Sequence, residues 1–319
     1  MLDTGLTTGG RALTPQPPNA IGASLGLLGD EWTLLIVRSA FEGARRYGDW
    51  KASLPISDAV LTARLRALVD EDVLRHTAPT YELTASGIDL WPLLLTIWDW
   101  ERRFVAGQAD RLPRMVHAGC GWAFHPVLSC ATCHQAVDAD SVDATFGPSG
   151  SFARSMPVGS NRRRQVSREP AGPGMFSETM AIIGSRWSAA VLGASFLGAV
   201  RFRDFEQIGA PPAVVADRLR RFVALGVLAP IRGPHRDAAA YGLTPKGAAL
   251  FPVVASFLRW GERWRPAADG PSVVATHVAC GSPFVPELSC SECAEAIGLS
   301  ALRIEPVRST APASASPRR

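Results

Sequence analysis

The sequence predicts a mainly α fold with small β-hairpins (α+β), built twice within one chain, and three observations predict it. A long block of residues recurs at a fixed step. Within each copy, apolar residues at helical spacing give way to two short strands around a turn. Behind each copy stands the same cysteine/histidine motif.

The repeat sets the organisation. Gly29, Trp32, Phe41 and Gly43 return as Gly184, Trp187, Phe196 and Gly198, a step of 155 residues. Arg46, Tyr47, Asp49 and Trp50 return as Arg201, Phe202, Asp204 and Phe205 at the same step. Further on, TARLRALVDEDVL at 62–74 matches ADRLRRFVALGVL at 216–228, and YELTASGIDLWPLLLTIWDW at 81–100 matches YGLTPKGAALFPVVASFLRW at 241–260. The matched positions are apolar, glycine or turn-forming, so one fold is built twice.

The resulting map has a flexible arm at 1–19, a first unit at 20–115 and a first Cys/His element at 116–140. An Arg/Ser/Gly-rich linker follows at 141–174, then a second unit at 175–270, a second Cys/His element at 276–298 and a disordered tail at 302–319.

In the first unit, Trp32, Leu35, Ile36 and Phe41 suit a helix packed on one face and ending near Gly43. Tyr47, Trp50 and Leu54 give a second, short helix that Pro55 terminates. Ser57 caps a third, whose Leu61, Leu65 and Leu68 form a buried stripe at i, i+4 and i+7. VLRHTAP and TYELT then read as a hairpin turning at Ala78-Pro79, matched in the second unit by VLAPI and AAYGLT. Thr84 to Gly87 and Thr244 to Gly247 open a long helix rich in large apolar residues. Two close helices followed by a hairpin are the winged helix-turn-helix arrangement.

On that scaffold the outward residues are candidates for reading DNA. In the first unit these are Ser57, Asp58, Thr62 and Arg66 on the third helix, with Arg64 at its flank, Arg75 and His76 at the wing, and Arg45 and Arg46 ahead of the helix pair. In the second they are Arg201, Ala216, Arg218, Arg220, Arg221, Arg232, His235 and Arg236. The linker run Asn161 to Gln165, with Arg154 and Arg168, offers further phosphate contacts. For any one arginine, an ordinary solvated surface role remains the alternative.

All six cysteines fall in one repeated pattern, H-x2-C-x9-C-x2-C. The first copy supplies His117, Cys120, Cys130 and Cys133; the second supplies His277, Cys280, Cys290 and Cys293. Each set fills a tetrahedral shell, so each zinc-ribbon-like element is expected to hold its own structural Zn2+, two ions per chain. His125 and His134 are competing nitrogens in the first copy. A pair of redox-active CxxC dithiols, or cysteines that are merely packed, are the other readings.

The blocks LLGDEWTLLIVRSAFEGARRYGDW, LPISDAVLTARLRALVDEDVL and YELTASGIDLWPLLLTIWDW, with their second copies, resemble the HxlR family of bacterial winged helix-turn-helix regulators. The resemblance implies that the helix beginning at Ser57, and its counterpart near Pro211, are recognition helices in a sequence-specific transcriptional regulator. It implies double-stranded DNA as partner, a small-molecule or stress effector, and contact between units through the first and last helices. That contact is made either within the chain, as a pseudo-dimer, or between chains. The chain departs from the family at Glu31, where a basic residue is usual and where the second copy has Arg186, and at Ala210-Pro211-Pro212, which replaces the usual start of the recognition helix.

The bulk composition agrees. A chain of 319 residues with 47% hydrophobic residues suits two domains, and a net charge of +4 is compatible with nucleic acid without requiring it. No uninterrupted apolar run is long enough for a membrane, and the first residues lack a signal-peptide pattern, so a cytoplasmic location, at the nucleoid when DNA-bound, is expected. No phosphate-cradling glycine loop or nucleophile–base spacing suggests an enzyme. An oxidation-sensing regulator and a protein-binding adaptor are the rival functions.

Overall fold

The computed structural model describes residues 16–157, 176–232 and 239–305. The first half runs α1 (Ala20–Leu28), α2 (Glu31–Phe41), α3 (Tyr47–Ser53), α4 (Asp58–Asp70), the wing β1 (Leu74–Thr77) and β2 (Thr80–Leu83), α5 (Ala85–Ile88) and α6 (Trp91–Phe104). Strands β3 (Arg114–His117), β4 (Pro126–Cys130) and β5 (Val142–Phe146) follow. The second half repeats the order with α7 (Ser177–Ile183), α8 (Arg186–Phe196), α9 (Phe202–Glu206), α10 (Pro212–Ala224), β6 (Leu228–Arg232), β7 (Ala239–Leu243), α11 (Pro245–Ala248), α12 (Phe251–Trp264), β8 (Val273–His277), β9 (Pro286–Cys290) and β10 (Leu302–Glu305).

Local chemistry sets most of these boundaries. The side chains of Asn19, Asp30, Ser57 and Thr84 accept the N–H groups of Gly22, Thr33, Val60 and Gly87, capping α1, α2, α4 and α5. Leu61, Leu65 and Leu68 are fully buried, as the i, i+4, i+7 stripe requires. The expected long helix after the wing is broken in two. Thr84 caps only the four residues of α5, and Pro92, in the first turn of α6, marks a new start.

Two expected boundaries are corrected. Residues 142–146, placed in the linker, form β5 on β8, and residues 302–305, placed in the tail, form β10 on β3. Asn19, assigned to the arm, is buried, with its amide donating to the Ser149 carbonyl and to Ser155. Arg154, also assigned to the linker's phosphate contacts, is 8% exposed and forms a bidentate ion pair with Asp269. The linker run 161–165 and Arg168 lie outside the described residues.

The two halves pack on each other through matched contacts. Trp100 Nε1 donates to the Lys246 carbonyl at 3.0 Å, and Trp260 Nε1 donates to the Ser86 carbonyl at 2.9 Å. Position 100 corresponds to 260 and position 86 to 246, so one bond is made twice about a pseudo-two-fold axis. Both indoles are 1% exposed, within a single core that runs through both halves. A contact between the units is thus made within the chain. Among the described residues, no single helix is long and apolar enough to cross a membrane.

A buried carboxylate joins the halves. Glu101, 0% exposed at the end of α6, accepts the Thr179 N–H at 2.9 Å and its hydroxyl at 2.7 Å, capping α7 of the other half. Burial raises the Glu101 pKa above its ordinary 4.5, against the lowering pull of Thr179. The folded chain thus holds this proton more tightly than the unfolded one. Its contribution to stability is fullest below pH 4.5 and is lost as pH rises through the raised value. Thermal melts from pH 4 to 8 should show Glu101→Gln flattening that decline, whereas Glu101→Ala, which strips the cap, should cost about 1–3 kcal/mol.

Candidate metal centres and nucleic-acid interface

The Cys/His elements meet across the pseudo-two-fold axis. Strand β4 pairs antiparallel with β9, with Leu128 opposite Leu288, Pro126 opposite Cys290 and Cys130 opposite Pro286. Strand β3 pairs with β10, and β8 with β5, so all three ribbon sheets join one half to the other. Leu128 and Leu288, with Leu95, Trp98 and Ala255 from the long helices, form a second small core beneath them.

This exchange redistributes the ligands. His117 and Cys120 stand with Cys290 and Cys293, while Cys130 and Cys133 stand with His277 and Cys280. The expectation that each element closes on its own four residues is thereby corrected: every site takes two ligands from each copy. Spacing does not distinguish the arrangements, because both copies carry identical ligand pairs.

The geometry suits a tetrahedral ion. Within each group the ligand atoms all lie within 4.8 Å of one another. Cys120 Sγ lies 3.9 Å from Cys290 Sγ, and His117 Nδ1 lies 3.3 Å from Cys293 Sγ. In the other group, His277 Nδ1 lies 3.3 Å from Cys280 Sγ and 3.4 Å from Cys133 Sγ. Thiolates bound to zinc at about 2.3 Å stand about 3.8 Å apart along a tetrahedral edge, so the sulfur spacing fits. Gly121 and Gly281 close the His-x2-Cys turns with φ of 77° and 67°, donating back to the His117 and His277 carbonyls. The Ser282 N–H, with His277, lowers the Cys280 thiol to about 6, whereas burial and neighbouring cysteines raise Cys133 and push Cys293 up to about 11. His125 and His134 belong to neither group; the ring of His134 instead meets Glu287 at 3.1 Å.

The helices expected to read DNA are α4 and α10. Ser57, Asp58, Thr62 and Arg66 are exposed on α4, over its buried leucine stripe. Asp58 turns toward α3, accepting from the Tyr47 hydroxyl at 2.7 Å and pairing with Lys51 at 3.4 Å. Arg64 does not face outward: it makes bonds of 2.7 and 3.1 Å to Asp30, tying α4 to the start of α2. Its counterpart Arg218 is 8% exposed and is likewise removed from the surface set. The partner position differs between copies, because Asp30 corresponds to Ser185. Asp30 was missed as a positioning residue, although its place as a helix cap was readable.

Arg220 and Arg221 are exposed on α10, Ala216 is half-buried, and Arg201 sits half-buried at the head of α9. Arg45 and Arg46 are exposed, with both backbone N–H groups donating to Asp49 at 2.8 Å. On the wing, Arg75 pairs with Glu82 at 2.7 Å and His76 stacks on Tyr81 at 4.2 Å. Arg232 belongs to strand β6, while His235 and Arg236 lie outside the described residues.

Comparison with known proteins follows the same division. The HxlR-like helix-turn-helix family model matches residues 27–109 and again 182–269. An uncharacterized HTH-type transcriptional regulator of Mycobacterium tuberculosis is 32% identical over 139 residues, covering 40% of this chain and 86% of the relative. A second such regulator, from Synechocystis, is 37% identical over 79 residues, covering 22% of this chain and 58% of its own length. Among solved structures, PA1607, described as a candidate transcription factor, aligns at 26% identity with a TM-score of 0.37, covering 43% of this chain and 96% of that one. A Pseudomonas aeruginosa protein described in the same way aligns at 24% identity with a TM-score of 0.29, covering 50% and 99%.

The crossed ligand sets predict a distinctive pattern of damage. In the metal-loaded chain, Cys290→Ser should release one ion and expose Cys120 and Cys293 to alkylation, while Cys130, Cys133 and Cys280 stay protected. Exposure of Cys280 and Cys293, with Cys120 protected, would show that each copy closes on itself. Peptide mapping after thiol labelling reads the difference.

Proposed function

Since this chain belongs to the HxlR-like helix-turn-helix family, we propose that its two winged units serve as the two halves of one intramolecular operator-reading module. The chain is a DNA-binding transcriptional regulator. In our reading, α4 and α10 are the recognition helices, entering successive turns of the major groove as the paired units of a dimer would. The observation that carries this is the pair of exposed arginines at corresponding positions, Arg66 and Arg220, each on a helix whose opposite face is buried core.

The halves are not equivalent readers. Thr62 and Arg66 give α4 a hydroxyl and a guanidinium to present, whereas α10 presents Ala216 at the position of Thr62 and adds Arg221. Alanine can meet a thymine methyl group but offers no hydrogen bond, so α10 keeps the guanidinium of Arg220 and lacks the hydroxyl that α4 can offer a base. The wing residues Arg75 and His76, with Arg45 and Arg46 ahead of the helix pair, add backbone contacts.

Both Cys/His clusters are read as structural Zn2+ sites. Each offers three sulfurs and one imidazole, which fill the shell and leave no position for a reacting water. Bound zinc would supply rigid tetrahedral cross-links, so its role here is to hold the halves together. In this reading the module is a regulator that works in the cytoplasm.

The test is a binding titration on DNA from the region upstream of the gene, across a range of salt concentrations. Affinity should fall steeply as salt rises. Arg66→Ala should cost about 1–3 kcal/mol on the specific site and little on random duplex. Arg64→Ala should act through lost stability, seen as a lower melting temperature. No salt dependence and no preference for any upstream fragment would favour the adaptor reading instead.

A further inference from the structure

Each half encloses a cavity at the same place in the repeat, and the two have diverged. In the first half, α2, α6 and β3, closed by β10 and the turn at Leu299 from the other half, surround about 630 Å³. In the second half the matching residues divide between two spaces, about 140 Å³ among α8, α12, β8 and β5, and about 530 Å³ beside β7, α11 and the start of α12. Phe146 and Phe152, ring centroids 5.0 Å apart, line that smaller space.

The walls differ in chemistry as well as size. Arg38 and Glu42 in the large cavity correspond to Gly193 and Leu197 in the small one. The body of the large cavity is apolar, formed by Trp91, Leu95, Trp98, Met115 and Leu302. Its charged end carries Arg38, Glu42, Arg45 and Glu82. Both acids are already engaged: Glu82 lies 2.7 Å from Arg75, and Glu42 lies 3.3 Å from Arg38 Nε. The Arg45 guanidinium meets the backbone carbonyls of Ala40 and Ala44, at 2.5 and 2.9 Å. Arg38 Nε is buried, and among the described residues nothing is aligned to accept its hydrogen bond. With Arg75 counted, three guanidinium groups stand there against two carboxylates, a surplus of one positive charge.

We propose that this cavity binds an amphipathic carboxylate, an aromatic or branched aliphatic acid whose apolar body lies against Trp91, Leu95 and Trp98. Its carboxylate would meet Arg38 and Arg45. The volume falls in the range of small-molecule sites, and a guanidinium set in an apolar wall is the usual anchor for a carboxylate. The smaller cavity has Gly193 at the position of Arg38, and the arginine that lines it, Arg186, stacks on the Trp187 ring at 4.5 Å.

The link to regulation rests on the function proposed above, while binding itself does not. Glu82 and Leu83 belong to the wing strand β2, and the Arg45 carbonyl accepts the Tyr81 N–H at 2.7 Å. A ligand seated against these residues touches the wing directly.

Calorimetric titration of the full-length, metal-loaded protein with naphthylacetate and with its neutral amide, naphthylacetamide, provides the test. We expect one site per chain and at least about tenfold tighter binding of the acid, as a charge-assisted pair requires. Arg38→Met should abolish that preference, Arg38→Lys should retain part of it, and Met115→Trp should block both probes. Melting curves check that each variant is folded, and the acid-to-amide ratio of the unaltered protein stands independently of them. Equal affinity for the two probes, or two equivalent sites, overturns the proposal. So does binding that appears only after residues 306–319 are removed, which would make the chain's own tail the occupant. Because no DNA is present, failure here leaves the DNA-binding titration untouched, and the reverse also holds.

Discussion

The antiparallel pairing of β4 with β9 is the constraint on which the other features depend. With Leu128 set opposite Leu288, the second cysteine pair of each copy is carried to the first pair of the other. Two Cys/His clusters, three sheets and the small core beneath them become properties of the whole chain. Neither ribbon is complete without the other half. An ion bound at either site therefore closes a loop between halves as well as a local turn, and the entropy of separating them is removed from the unfolded chain at two points.

That pairing is reinforced by contacts of a different kind in the helical layer. Trp100 and Trp260 exchange equivalent hydrogen bonds with the opposite half, and Glu101 caps a helix that belongs to it. Buried indole N–H groups and a buried carboxylate are costly unless satisfied, so these contacts specify how the halves dock as well as how strongly. The symmetry is incomplete where it serves a purpose. Gly261 stands where the first copy has Glu101, and an added Cβ there would meet Ser24 Oγ at 2.7 Å; close packing of α1 on α12 replaces the capping carboxylate. The same drift of paired positions separates the cavities, where an Arg/Glu pair in one half faces Gly/Leu in the other.

Much of this was legible in the residues themselves. The caps at Ser57 and Thr84, the leucine stripe of α4, the hairpin at Ala78-Pro79 and the eight metal-ligand candidates were all readable, because each depends on neighbours close in sequence. The readings that needed correction were of another sort. Arg64, at the flank of the recognition helix, and Arg218, close to its counterpart, were candidates for DNA contact, yet one is held by Asp30 across 34 residues and the other is buried. Strands β5 and β10 were hidden in stretches that resemble linker and tail, since a short strand at the edge of a ribbon carries little pattern of its own until its partner is known.

The sequence by itself determined that one winged unit is built twice, which residues cap and fill it, and which side chains are fit to hold a metal. Those features follow from local periodicity and from the donor chemistry of cysteine and histidine. Only the tertiary structure decided which cysteines and histidines stand together, which arginines remain at the surface, and that the units pack on each other within the chain. Two copies with the same spacing satisfy the local rules equally well whether closed or exchanged. The choice is made by burial of Leu128, Leu288 and the paired tryptophans between the halves.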